Sequence, residues 1–476
     1  MRYIFKLILV PYLVDQTHNE KHDIDPVPMD IFFPPTGEKL VDIAKWEKEK
    51  YKIFHAKLQR KEIPYFKVSR LDDVVDRLKN AGFKKILIIS ADETIRTFRV
   101  AIGHWKVCIL KVESRFGLIK EFGFDMQAKK FTCGENGCWS SFVPEDLGSV
   151  KDVLYFHYIP IDIKVKSTET LQIVKKIREK RRDFEKALFH TELMSNSLKR
   201  ARSVGNEYDL VLVLIDGPLL PPHLDPYVSP GTRFMLDVWK LVSQDEMTKL
   251  LEMKEFMLRS YLNIFEQVLE SKNIALVGAI KRSEDQTLQY KVFKHVEEGR
   301  SDIDVLISYL KGGERIGPYF IDRLFMFAKE LRRFHIKNIT DEEIKHKVPI
   351  HSYIIKMFEY MLPIRLDVLI PFVLHKMEQD IIDLLANFII PSKKHTRIAG
   401  KEEEILFEIP TLSPIYLVDH ELDKWSRFVE SVYRAEIKNA WEPIRNYLFK
   451  TYRNKNSEVE VGYLKELRGV IKGETP

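Results

Sequence analysis

Cysteine is scarce: Cys108, Cys133 and Cys138 are three residues in 476, too few for a disulfide framework, so the chain reads as one that folds in a reducing compartment. Cys133-Gly-Glu-Asn-Gly-Cys138 resembles half of a zinc knuckle. No second ligand pair follows at finger spacing, and Gly134 and Gly137 suit a plain hairpin turn. Long apolar runs are also missing, since none approaches the roughly 18 residues that cross a bilayer. The opening Tyr3–Val14 stretch is apolar but holds Pro11 and lacks a small-residue cleavage site, so it reads as a strand rather than a signal peptide. These absences predict a cytoplasmic protein with no membrane segment. There is no Gly-x-x-x-x-Gly-Lys-Ser/Thr loop, which argues against a nucleotide-driven motor, and neither an internal repeat nor a low-complexity segment. A strong excess of one charge is lacking too: 76 basic against 70 acidic residues leave a net +6, which permits a polyanionic partner without demanding one.

What is present is an ordinary globular composition, 45% hydrophobic and 31% charged, long enough for two or three cores or one elaborated domain. Abundant Lys, Glu and Arg would suit a thermophile's ion-pair networks. Positive charge gathers at Lys175–Arg182, Lys329–Arg333 and Pro391–Arg397. Each is either a solvated face or part of a nucleic-acid interface, and three together favour nucleic acid over a small metabolite.

Residues 1–82 read as an N-terminal extension: a strand, a turn at Pro34-Pro35, and helices over Glu38–Arg60 and Leu71–Ala81. Residues 83–440 form the main domain and 441–476 a C-terminal helical tail. Within the main domain, Lys85–Ser90, Arg96–Ile102, Trp105–Val112 and Val153–Ile163 are expected as strands in antiparallel hairpins. Helix Thr168–Arg202, strand Leu210–Ile215, helix Gln244–Glu270 and strand Ile274–Ile280 follow. A mixed region then includes strand Ile364–Ile370 and a last helix from His420 to about Lys438. Hairpin strands, a helix, then strand–helix–strand–helix is the order of an α/β, ribonuclease H-like mixed sheet flanked by helices, here with helical insertions.

Several residues can carry chemistry. The buried strand Leu210–Ile215 ends at Asp216-Gly217-Pro218, placing a carboxylate at the carboxyl edge of a sheet, where ligands bind; the alternative is a plain turn signal. Asp92 follows Lys85–Ser90 in the same way, with Glu93 a competitor. Two such carboxylates can hold one or two hard cations, Mn²⁺ or Mg²⁺. On the preceding helix, Phe184, Leu188, Glu192, Ser195 and Leu198 recur at helical spacing, so Glu192 is expected on an apolar stripe, needing either a metal or a salt bridge. His420, at the start of the last helix and off its Leu422, Trp425, Phe428, Val432 stripe, is a candidate for metal binding or proton transfer. Lys281 and Arg282, at the end of Ile274–Ile280, can hold a phosphate.

The ordered set Leu-Ile-Asp216-Gly-Pro-Leu, Val277-Gly-Ala-Ile-Lys281-Arg-Ser283, Gly313-Glu-Arg-Ile-Gly-Pro318, Pro363-Ile-Arg365-Leu-Asp-Val and Tyr416-Leu-Val-Asp-His420-Glu-Leu resembles the NurA nuclease family over about residues 85–440. The resemblance implies a ribonuclease H-like, manganese-dependent DNA nuclease that cuts 5′ to 3′. It also implies a homodimer that partners the hexameric HerA translocase in archaeal DNA end resection. By motif match, Asp216 takes the family's second strand-end aspartate, His420 its C-terminal histidine and Glu192 its helix glutamate; the family's tyrosine falls on Tyr416 or, in another alignment, on Leu412. Asp92 takes the first aspartate, but the family's Asp-Gly-Ser is Asp92-Glu93-Thr94 here. That departure keeps a second reading open, a catalytically weak or inactive DNA-binding adaptor of the same complex.

Overall fold

The structure, a computed structural model, describes residues 37–102, 108–132, 140–143, 168–396, 407–428 and 431, apart from 223, 225–227, 234, 236–243, 284, 294–300 and 308. Tyr3–Val14, the Cys133–Cys138 turn, Val153–Ile163 and the tail 441–476 lie outside the described residues. So do most side chains of Lys175–Arg182 and of the Pro391–Arg397 cluster.

Helix α1 (Gly37–Arg60), strand β1 (Tyr65–Lys67) and helix α2 (Leu71–Asn80) lead into β2 (Ile86–Ile102), β3 (Cys108–Asp125), β4 (Lys130–Thr132) and β5 (Ser140–Val143). Helix α3 (Thr168–Val204), β6 (Leu210–Asp216), α4 (Gln244–Leu269) and β7 (Ile274–Ile280) form the centre. Then come α5 (Asp302–Leu306), β8 (Glu314–Tyr319), α6 (Asp322–Arg333), α7 (Asp341–Lys347), β9 (His351–Lys356) and β10 (Ile364–Leu369). Helix α8 (Glu378–Ala386), β11 (Ile389–Thr396), β12 (Phe407–Leu412) and a last helix, α9 (413–428), complete the described chain.

One ten-stranded mixed sheet organises these elements in the order β1-β8-β9-β10-β7-β6-β2-β3-β4, with β5 also pairing β3; β11 and β12 pair separately. Its centre is parallel, β2 beside β6 beside β7, and its flanks are antiparallel. The parallel strands are buried on both faces, which is why Leu210-Val-Leu-Val-Leu-Ile215 is apolar without alternation. Alternate residues feed two cores. Leu87, Ile89, Val211, Val213 and Leu276 pack under α3 and α4, whereas Ile86, Ile88, Leu212, Leu214 and Val277 pack under α2, α8 and α9.

The expected long helices and β6, β7 and β10 appear within a residue or two of their sequence bounds. Three expectations change. The strand expected at Trp105–Val112 is β3, which begins at Cys108 and runs on to Asp125. Lys85–Ser90 and Arg96–Ile102 are one strand of 17 residues, because β3 pairs with β2 from Ile86 to Ile102 and carries the ladder across the polar Asp92-Glu93-Thr94 stretch. The last helix starts at 413, not at His420. Residues 54–80, grouped by sequence with the extension, supply edge strand β1 against β8 and place Phe54 and Leu58 in one core and Val74, Val75 and Leu78 in the other. No helix among the described residues is long and apolar enough to cross a membrane.

Candidate active site

The parallel register fixes the centre of the site. β2 and β6 pair residue for residue up to Ala91 beside Ile215, so the next step brings Asp92 alongside Asp216. Both follow the alternation of Ile86, Ile88, Leu212 and Leu214 and therefore face the side covered by α9. Asp92 is not at a strand end, as expected from sequence; it lies within β2, at the point where its parallel neighbour stops. It is 5% exposed. Burial, then the charges of Asp216 and Asp419, push its carboxyl well above the usual carboxylate range, against the pull of Lys281 and of the Glu93 amide. That amide donates to Asp92 Oδ1 at 2.7 Å.

Lys281 continues the same alternation one residue past β7 and donates from Nζ to Asp216 Oδ2 at 2.6 Å. The half-buried pair leaves each side chain about a fifth exposed. The loop carrying Lys281 is anchored by Arg365 on β10, 2% exposed, whose Nη1 donates to Ser283 Oγ at 2.8 Å and to Asp285 Oδ2 at 2.7 Å. Asp367 lies 3.1 Å from Arg365 Nε and accepts from Ser352, so the buried guanidinium is charge-compensated.

α9 supplies the cover. Ile415, Val418 and Leu422 are its buried stripe, whereas Trp425 and Phe428, expected in the core, are 40% and 59% exposed. The phase of the helix is thus rotated from the sequence expectation, and it is half-buried Asp419 whose charge reaches Asp92. His420 is exposed and stacks on Tyr416, with ring centroids 6.2 Å apart and planes 5° from parallel. Glu421 pairs with Lys120, which sits opposite Ser90 on β3.

Glu192 is exposed, which corrects its expected place on a buried stripe. The buried face of α3 is Phe184, Ala187, Thr191, Met194, Leu198 and Ala201, the same helical period one position out of phase. The side chain that α3 turns inward toward the strand ends is His190, on the sheet face opposite Asp92 and Asp216. Its Nδ1 lies 3.4 Å from Glu93 Oε1 and its Nε2 donates to the Pro218 carbonyl at 3.2 Å. Burial draws the imidazole down, but Glu93's charge and hydrogen bond, with Pro218 and Asp216, bring it above its ordinary value. Asp419 and His190 escaped the sequence reading; the signal was there in the 3–4 spacing of Ile415, Val418 and Leu422 and of the α3 stripe.

Among the described residues no group of three His, Cys, Asp or Glu side chains lies close enough to hold a metal ion. Asp92 and Asp216 are brought together, with Asp419 acting on Asp92; Glu192 and His420 point outward. The donors at the centre are all carboxylate oxygens, the set that suits a hard divalent cation.

No curated protein matches the chain. Among solved structures it is similar to the NurA nuclease from Sulfolobus solfataricus, with TM-score 0.36 and 12% identity over 87% of this chain and 98% of that one. It is also similar to a NurA bound to dAMP and manganese, with TM-score 0.30 and 10% identity over 74% of this chain and 90% of the other. Likenesses at that level carry no weight alone. The NurA domain model, however, matches residues 136–406, more than half of the chain, beginning after Asp92 and ending before Tyr416. The chain belongs to the NurA family.

Proposed function

We propose that the chain is a metal-dependent deoxyribonuclease with a ribonuclease H-like core. The observation that carries the reading is the position of Asp92, within β2 one step beyond its last pairing with β6, beside Asp216 at the carboxyl end of β6. The meander β4-β3-β2, continued through parallel β6 and β7, supports the ribonuclease H-like reading of the core. Asp92 and Asp216 would hold Mn²⁺ or Mg²⁺, with Asp419 a further carboxylate whose charge acts on Asp92. When bound, the cation supplies a Lewis acid for the phosphoryl oxygens as negative charge builds on them. Lys281 adds a fixed positive charge at the same sheet edge, where a scissile phosphate displaces its contact with Asp216. His420, exposed and stacked on Tyr416 in the same helix as Asp419, would pass a proton to the leaving oxygen.

Family membership supports DNA as the substrate, with 5′ to 3′ degradation, a homodimer and a HerA-type translocase in end resection as further parts of the proposal. The competing reading is a non-cutting adaptor. Two observations favour it: Lys281 already neutralises Asp216, and Glu93 stands where the family has glycine. Digestion of end-labelled DNA with Mn²⁺ separates the two. Wild type should cut, and Asp216→Asn should lose at least about a hundredfold. Activity equal in both proteins would sink the metal site, and none in wild type with DNA binding intact would leave the adaptor.

A further inference from the structure

Glu93 and His190 have no assigned part in the reaction, yet they meet directly beneath the two carboxylates. Glu93 is the residue after Asp92, and alternation sends it to the opposite face of β2, toward α3. There one oxygen faces His190 Nδ1 at 3.4 Å. Its second oxygen, Oε2, is buried without a hydrogen-bond partner. On its other side the imidazole reaches the turn that follows Asp216. Nε2 donates to the Pro218 carbonyl at 3.2 Å, and the ring closes on Gly217, where an added Cβ would lie 3.1 Å from Cε1. Gly217 has φ +135°, a conformation open to glycine and strained for other residues. The turn is pinned again from β7: the Gly217 amide donates to the Ala279 carbonyl at 3.0 Å. Gly278 leaves no room for a Cβ, which would lie 2.5 Å from the Gly217 oxygen.

We propose that the Glu93–His190 pair is a clasp that ties the strand carrying Asp92 to the turn carrying Asp216, holding the two carboxylates at one separation. These are positioning residues, since neither faces the side on which DNA would bind. The Glu93 side chain reaches His190 on α3, which a glycine at that position could not. β6 ends at Asp216, and a strand end held only by backbone pairing frays at its last residue. A side chain bonded to both β2 and the turn after β6 limits that motion, as an active site needs when a cation must span two carboxylates.

The inference rests on the nuclease reading, so its test uses metal-free protein without DNA. Hydrogen exchange, resolved to segments covering 89–95 and 214–220, is compared for wild type, Glu93→Gln, Glu93→Ala, His190→Phe and the double variant Glu93→Ala with His190→Phe. His190→Phe keeps the ring volume, and folding of every variant is checked by the protection of β6. The clasp predicts exchange in 214–220 about tenfold faster in Glu93→Ala and in His190→Phe, the worth of one hydrogen bond. The double variant should be no faster than the worse single one, and Glu93→Gln should be partly protected. Unchanged exchange at 214–220 in Glu93→Ala, or strictly additive effects, would overturn the clasp. If the protein cuts DNA, the single variants should lower kcat with KM held.

Discussion

Asp302 is a carboxyl that the site does not use, and its surroundings set a pH dependence for the whole protein. It is 2% exposed, and burial raises its pKa to about 7, although the Leu288 and Gln289 amides donate to it. The unfolded chain releases this proton near pH 3.8. Folded protein therefore binds more protons than unfolded protein between those values, and stability falls as pH rises from about 4 to 7. Asp302→Asn removes the ionisation. Its stability relative to wild type should improve by roughly 2 kcal/mol between pH 5 and pH 8, read by urea denaturation at the two pH values; a difference that does not move with pH would contradict the assignment. At this scale the sequence located Asp216 and Lys281 because both sit at ends of unmistakable buried strands. It misplaced Glu192 and missed His190, because two residues of helix turn a side chain by more than half a circle while leaving the spacing pattern intact.

Elements are tied together by polar groups as well as by the two cores. Lys254 on α4 is wholly buried, pairs with Glu330 of α6 at 2.7 Å, and donates to Ser229 Oγ at 3.2 Å. Ser229, in the proline-rich segment after β6, itself donates to Glu330, so one carboxylate joins that segment to two helices. Removing the carboxylate strands a buried ammonium, so Glu330→Gln should cost about 3–5 kcal/mol. Lys254→Met should cost less, because Glu330 keeps Ser229 and Arg333. Urea midpoints give the comparison, and equal losses would count against it. Element existence was legible in sequence: the spans of α3, α4, β6 and β7 follow from periodicity and from breakers such as Gly205 and Pro218. Element phase was not. Trp425 and Phe428 look like core residues, yet α9 buries the face set by Ile415 and Val418, one turn earlier, where the sequence reading had no helix.

Across the molecule, part of the positive charge expected on the surface is drawn into the fold. Arg332 is engaged by Asp341 and the Ile339 carbonyl, and Arg333 by Glu330, so Lys329–Arg333 spends both its arginines within the fold and contributes little to a polyanion surface. The proposed DNA contact is left to Lys175–Arg182 and Pro391–Arg397, whose side chains lie mostly outside the described residues. Sedimentation of the protein with labelled DNA at about 50 and 200 mM salt should show a dimer whose binding weakens by a factor of 10³ or more if about six phosphates are met; a monomer, or a flat salt response, would contradict the proposed complex. Sequence by itself determined that this is an α/β chain, that Asp216 closes a buried strand, and that the motifs follow in NurA order, because apolar burial and turn chemistry are written locally. Tertiary structure alone decided that Asp92 stands beside Asp216, that the charge of Asp419 acts on Asp92, and that Glu93 reaches His190. Those facts depend on strand register and helix rotation, which are fixed by packing between segments far apart in the sequence.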